Sequence, residues 1–516
     1  MKDTFRKSMR WFHTWSSLVL GWILFFIFVT GTTGYFSKEI DRWMQPELPM
    51  VTHASTSLDN EELSLIAVNY LKEVAPYSNK WRIYLPHTRD ERLIVKWYSD
   101  HKATSTSFGG HGGPKPHTHI INPLTKKRVI PRETGGGNAL YKMHYVLHYV
   151  DARTTGRYIV GFASMLMLIA LLTGIIIHIN IFKDFFTFRQ DKNLRSWLDA
   201  HMVSGVIALP FHLMITYSGL AFFIFSYVPF VPLVNYDMKM PTYIQKTLPS
   251  EKPIKINYTS AELASIKPIV KQAETHFKGK IKSITILNQG DTSATICLRR
   301  EDSSLLGGNK RDKVFFSGTT GKMLENLSPK KPEASEVRNI LTGIHRGLFA
   351  DIYIRWLYFL SGILGSVMIA TGLILWTKKR ESKQKDTFGF KFVNSLNVAS
   401  IAGLPVAIAA YFWANRLLPF DFPHRADMEM DILFITWFFI FIFAMTLPKK
   451  VVWYVQFYLA SFLYGSLPIL NFFLTQRHLI QSLSLGDTTL AWIDTLFFLI
   501  GVIFFIIAHV VKKKTP

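Results

Sequence analysis

Residues Gly161–Ile177 read GFASMLMLIALLTGIII, an uncharged run too long for the core helix of a soluble domain. A bilayer core of about 30 Å demands about 20 apolar residues, so a purely soluble protein is excluded. Eight such runs stand at about 15–36, 157–180, 201–226, 353–376, 393–415, 431–447, 451–473 and 489–511. Polar regions 37–156 and 227–352 separate the early ones. Mean hydropathy is therefore only +0.17, although 49% of the 516 residues are apolar.

Lys and Arg outnumber Asp and Glu by 59 to 36, a formal +23. A nucleic-acid binder gathers such charge on one folded face. Here much of it sits in short loops between apolar runs, where it sets orientation. Lys2, Arg6, Lys7 and Arg10 precede the first run, and Lys183, Arg189, Lys192 and Arg195 join the second to the third. Six more, from Lys378 to Lys391, join the fourth to the fifth, and Lys449, Lys450 and Lys512–Lys514 complete the set. The opposite connections hold only Arg416, Arg425 and Arg477. Both termini are expected in the cytoplasm and both polar regions outside, in the periplasm of a Gram-negative cell. The first run is expected to be a retained anchor, because it exceeds a signal-peptide core and Ser37-Lys38-Glu39-Ile40 offers no small-x-small cleavage site.

The expected fold is a mainly α-helical polytopic membrane protein with about eight transmembrane helices and two small α+β outer domains. Its order is a first span within 1–36, an outer domain at 37–156, a span at 157–180 and a cytoplasmic loop at 181–200. A span at 201–226, an outer domain at 227–352, a span at 353–376 and a cytoplasmic loop at 377–392 follow, then a C-terminal bundle of four spans at 393–516. In the first outer domain Leu58–Ala75 has a helical pattern with Ser57 or Asp59 as N-cap. Strand patterns follow at Trp81–Leu85, Arg92–Trp97 and 120–127. The second outer domain reads alike: a helix at Ser260–Phe277 and strands at Ile281–Leu287, Ala294–Arg299 and Val314 onward. Cys297, the only cysteine, excludes a disulfide and a Cys-type zinc or iron–sulfur site held by this chain, and is expected buried in a strand.

The membrane runs repeat as well. Arg157 is followed by Thr173-Gly174, and Arg355 at the same offsets by Thr371-Gly372. Residues 1–180 and 196–376 thus read as two copies of helix, outer module, helix. Small residues permit close helix approach in lipid, so the first four spans are expected to form a bundle.

Histidines mark its ends. His13 and His201 begin spans one and three; His148, with His144 one turn earlier, precedes span two, and His345 precedes span four. His178 ends span two and aligns with Trp376, and His212 lies inside span three. Imidazole is an axial ligand for haem iron, and a four-helix bundle can hold haem between facing helices. The topology pairs His13 with His201 and His148 with His345, two stacked bis-histidine sites that would form a two-step wire. The competing reading makes these residues interfacial anchors. His212 is open between a hydrogen-bonded core residue, a proton carrier and an alternative ligand.

The stretch Phe108–His119, FGGHGGPKPHTH, carries His111, His117 and His119. It reads either as a weak transition-metal site or as a flexible glycine–proline loop. No Gly-x-Gly-x-x-Gly follows a strand and no P-loop is present, so reducing equivalents would come from membrane quinol or a partner flavoprotein.

RWFHTWSSLVLGWIL, HYVLHYV with GRYIVG, DAHMVSGVIALPFHLMITYSGL and IHRGLFADIYIRWLYFLSGILG resemble the PepSY-associated transmembrane family, over roughly residues 5–380. That family includes iron-regulated inner-membrane proteins and siderophore-iron reductases. The outer modules resemble PepSY domains, with NPLTKKR and SGTTGKM as closing turns. The resemblance implies a four-helix core with two b-type haems that passes electrons outward to reduce Fe(III) in a siderophore complex. It puts the ligand roles on His13, His148, His201 and His345, with His144, His178 and His212 as alternates. It says nothing of the four C-terminal spans. The other functional readings are a non-enzymatic, membrane-anchored binding or regulatory protein and an iron-siderophore permease.

Overall fold

The computed structural model describes residues 2–49, 58–87, 89–98, 116–149, 155–178, 189, 194–227, 254–301, 313–324 and 333–514. They form two compact units, one from Met1–Pro46, Arg132–Tyr227 and Ala350–Pro516, the other from Glu47–Pro131 and Val228–Phe349.

The first unit is helical. Helix α1 (Lys2–Thr33) continues through a short 3₁₀ turn into α2 (Ser37–Met44). The later helices of its first half are α4 (Gly136–Val146), α5 (Thr155–Ile177), α6 (Leu194–Ile207), α7 (Leu209–Tyr227) and α10 (Ile352–Gln384). The third apolar run is not one straight span: α6 and α7 meet at 67°. Pro210 explains the break, since it has no N–H for the carbonyl four residues back and its ring crowds that turn. As a result α6 packs on α10 while α7 packs on α5, and α1 touches both α5 and α10.

The C-terminal bundle comprises α11 (Phe388–Val398), α12 (Leu404–Leu417), α13 (Arg425–Thr446), α14 (Lys449–Leu474), the short α15 (Leu479–Ser484) and α16 (Thr488–Lys513). A π turn at Ala399–Gly403 joins α11 to α12, and the Trp437 indole donates to the Ala399 carbonyl at 2.8 Å. Pro405, lacking an N–H, accounts for a turn that leaves the regular ladder here. Helices α14 and α16 pack so closely that a Cβ on Gly501 would lie 2.6 Å from the Gly465 nitrogen. In all, seven helices among the described residues are long and apolar enough to cross a membrane, or eight counting the bent α6–α7 pair as one span.

The second unit holds the two α+β modules, and they are not separate. Helix α3 (Asn60–Val74) precedes β1 (Lys80–Tyr84), β2 (Leu93–Trp97), β3 (His117–Ile121) and β4 (Arg128–Val129). Helix α8 (Ile266–Phe277) precedes β5 (Ile281–Leu287), β6 (Thr295–Arg300), β7 (Lys313–Ser317) and β8 (Met323–Leu324), and α9 (Glu333–Arg346) follows. All eight strands form one antiparallel sheet in the order β4-β3-β2-β1-β5-β6-β7-β8. The modules join at β1–β5, where Trp81 faces Ile286 and Ile83 faces Ile284. Their inward side chains share one core with Leu71 of α3 and Val270 of α8. Cys297 is fully buried in β6.

Local chemistry sets the boundaries. Asp59 caps α3 by accepting the Glu62 N–H at 2.8 Å, with Glu61 and Glu62 at the positive end of the helix dipole. Helix α8 starts later than the sequence pattern predicts, at Ile266 rather than Ser260. Turn carbonyls take the earlier N–H groups: Ala261 donates to Gly290 and Ala264 to Gly318.

Candidate functional site

His13 of α1 and His201 of α6 face each other across a cavity of about 820 Å³, with ring centroids 6.4 Å apart and planes at 73°. They are held in the same way. His13 Nδ1 lies 3.0 Å from the Ala170 carbonyl, and His201 Nδ1 lies 2.7 Å from the Met368 carbonyl. A carbonyl only accepts, so Nδ1–H is the donor in both rings and Nε2 is left bare. This is how a metal-ligating imidazole is oriented from behind.

The supports are related by the sequence repeat. Ala170 precedes Thr173 as Met368 precedes Thr371, and each threonine hydroxyl donates to that same carbonyl, at 3.0 and 2.9 Å. Ser16 and Ser204, one turn after the histidines, bond back to Phe12 and Ala200, both at 2.7 Å. Gly174 and Gly372 give the rings room: a Cβ would stand 3.5 Å from His13 Cε1 but 3.1 Å from His201 Cε1. The 6.4 Å separation accommodates two imidazole–metal bonds of about 2 Å each, the remainder being ring radius. The donor set, the spacing and the cavity therefore fit a bis-histidine haem.

The other candidates are placed differently. His178 lines the same cavity. His212 is fully buried in α7; its Nε2 donates to the Ser361 carbonyl at 3.2 Å while Nδ1 has no hydrogen-bond partner. His144 bonds the Tyr141 carbonyl and packs against Gly31 of α1, where a Cβ would touch its ring at 3.5 Å. His148 turns elsewhere and stacks on Phe434 of α13 at 5.3 Å. Desolvation holds its pKa below the ordinary value, against the pull of Asp431 and Asp427. His345 ends α9, in the unit to which His148 does not belong.

His117 and His119 are not loop residues but lie on β3, beside Trp97 of β2, with ring centroids 5.3 and 4.7 Å away. Tyr70 bonds His119 Nδ1 at 2.8 Å. His111 lies outside the described residues. Among those described, no group of three His, Cys, Asp or Glu side chains is arranged to hold a metal ion.

Sequence reading missed a buried polar chain between the C-terminal bundle and the core. Arg425 and Glu429, both fully buried, pair one turn apart on α13. Glu429 also accepts from Asn415 at 2.8 Å and Thr134 at 2.5 Å. Arg416 stacks 3.6 Å over Trp43 and donates to Asn471 at 3.0 Å; Asn471 in turn reaches Asp494. Little in the sequence signalled it, because Arg416, Arg425 and Glu429 flank the apolar runs, where charge is ordinary.

A search of the curated proteins gave no match. The family of the PepSY-associated TM region matches residues 10–379, which takes in most of α1, both α+β modules and the helices through most of α10, and the chain belongs to that family.

Proposed function

We propose that this membrane protein holds haem between His13 and His201 and carries electrons across the bilayer to reduce Fe(III) in siderophore complexes. The observation that supports this most is the repeat-related support of the two imidazoles, Nδ1–H on Ala170 and on Met368, which leaves both Nε2 atoms for one metal. Interfacial anchoring gives no reason for two such matched supports. Haem held by His13 and His201 would supply a one-electron carrier suited to electron transfer rather than oxygen binding.

The chain's own residues do the rest. Thr173 and Thr371 hold the carbonyls that fix the rings, and Gly174 and Gly372 keep the approach open. The Lys and Arg distribution supports termini in the cytoplasm and a sheet unit in the periplasm of an inner membrane. A quinol giving two electrons and two protons would reduce two ferric centres; a flavoprotein would serve the same role. His148, His345, His144 and His212 are the candidates for a second haem, and the sheet unit, which resembles paired PepSY domains, is the candidate surface for the ferric complex.

The test is the reduced-minus-oxidised spectrum of the purified chain. Haem bands that weaken in both His13→Ala and His201→Ala are expected. Their absence after expression with ample haem would sink the reading. Reductase activity is tested separately, by stopped-flow reoxidation of the reduced protein with a ferric hydroxamate.

A further inference from the structure

The mouth of the His13–His201 cavity carries positive charge that no described lining residue matches. Arg6, Lys7, Arg10, Lys379 and Arg380 line it, and among the described lining residues there is no Asp or Glu. Among the described residues, two buried donors there have no acceptor: the Arg6 Nε–H and the Trp376 indole N–H. A buried donor without a partner forfeits its hydration with no return, so each marks a place for an acceptor.

The cations are also fixed in position. Arg6 is tethered by its Nη2 to the Ile177 carbonyl at 2.9 Å. Arg380 lies 4.1 Å over the Trp376 ring and 5.5 Å from that of Trp15, and donates to the Trp376 carbonyl at 3.3 Å. Arg6 precedes His13 by seven residues, roughly 10 Å along the helix. Bare metal-binding nitrogens thus lie deep in the cavity, and cations with open donors lie at its mouth.

We propose that Arg6, Trp376 and Arg380 bind the two carboxylates of the haem, fixing which edge of the macrocycle faces the Lys/Arg-rich helix ends. Charge-assisted bonds to carboxylate are roughly twice as strong as neutral ones, and the anionic edge would balance the cations. This inference rests on the haem reading above.

The test uses the full chain in detergent and follows the haem fraction that His13→Ala removes. In Arg6→Gln/Arg380→Gln, that haem should still give its spectrum but pass to apomyoglobin at least about tenfold faster. Its midpoint potential should fall, because lost cations favour the ferric state. Trp376→Phe, which keeps the ring and loses the donor, should show a smaller acceleration. Reconstitution with haem dimethyl ester provides a double-mutant cycle: the ester should leave the wild type faster and erase its difference from the double variant. Wild-type loss rate and potential in the double variant, or an ester held as tightly as haem, would overturn this proposal and leave the haem reading intact. A wild type that takes up no haem would overturn both.

Discussion

Trp43, at the end of α2, donates its indole N–H to Asp494 of α16 at 2.8 Å, a buried bond across 451 residues of sequence. It ties a helix inside the family's matched region to a span beyond it. The four C-terminal spans are thus bonded to the core by polar groups that need one another.

Because both partners are buried, Trp43→Phe should cost about 1–3 kcal/mol by leaving an Asp494 oxygen short of a donor. Breaking the Arg425–Glu429 pair with Arg425→Met should cost more, about 3–5 kcal/mol, since Glu429 is left buried without its partner. Thermal unfolding in detergent measures both. Equal, negligible shifts would mean that the chain of contacts bears no stability.

The two glycine seats are unequal. An added methyl lies at ordinary contact distance from His13 in Gly174→Ala but presses on His201 in Gly372→Ala. Gly372→Ala should lose haem or shift its absorption bands, and Gly174→Ala should do so much less. A reversed order, read from the purified spectra, would contradict the geometry around His201.

Asp291, in the turn between β5 and β6, has its pKa held down at about 2. Burial works the other way, but the Ser293 hydroxyl and the N–H groups of Ser293, Asn257 and Thr259 all donate to the carboxylate and prevail. A depressed folded pKa contributes stability that is fully present above the unfolded value near 3.9 and is lost as pH falls through about 2. Asp291→Ala should lower stability at pH 7 by about 1–3 kcal/mol and flatten the acid limb between pH 4 and 2. Chemical denaturation followed at several pH values distinguishes the two limbs.

Arg82 of β1 and Thr285 of β5 are directly opposed across the module seam. Opposed strand residues have Cα atoms about 4.5–5.5 Å apart, within disulfide range. Arg82→Cys/Thr285→Cys should close an intramolecular crosslink under mild oxidation, visible as a gel-mobility shift reversed by reductant. Because Thr285 also faces Cys297 of β6, the pair is made in a Cys297→Ala background, in which neither single variant should shift.

The spans, the duplication and the His13–His201 pairing were legible, because apolar run length, loop charge and equal spacing are one-dimensional signals. Helix ends such as Asp59 followed from capping chemistry. The bend at Ala208 was readable from Pro210, which sits inside an otherwise uninterrupted apolar run. The joined sheet was not legible: β1 and β5 alternate like any half-buried strands, and nothing local tells a strand which neighbour it will pair with. The roles of Gly174 and Gly372 were half legible, as small residues for helix packing but not as seats for imidazoles. The Arg425 network needed the third dimension, because Thr134, Asn415 and Glu429 meet only after folding.

The seam at β1–β5 also sets an order of events during synthesis. The outermost strands, β4 and β8, are only two residues long, a form that discourages pairing with strangers. The full-length edge of β1 is different: it has no mate until residues 281–287 have left the ribosome, after two further membrane spans. At about 5–20 residues per second, that edge waits for about 10–40 seconds. A nascent chain halted in span three would expose it, making this the stage at which mispairing or proteolysis is most expected.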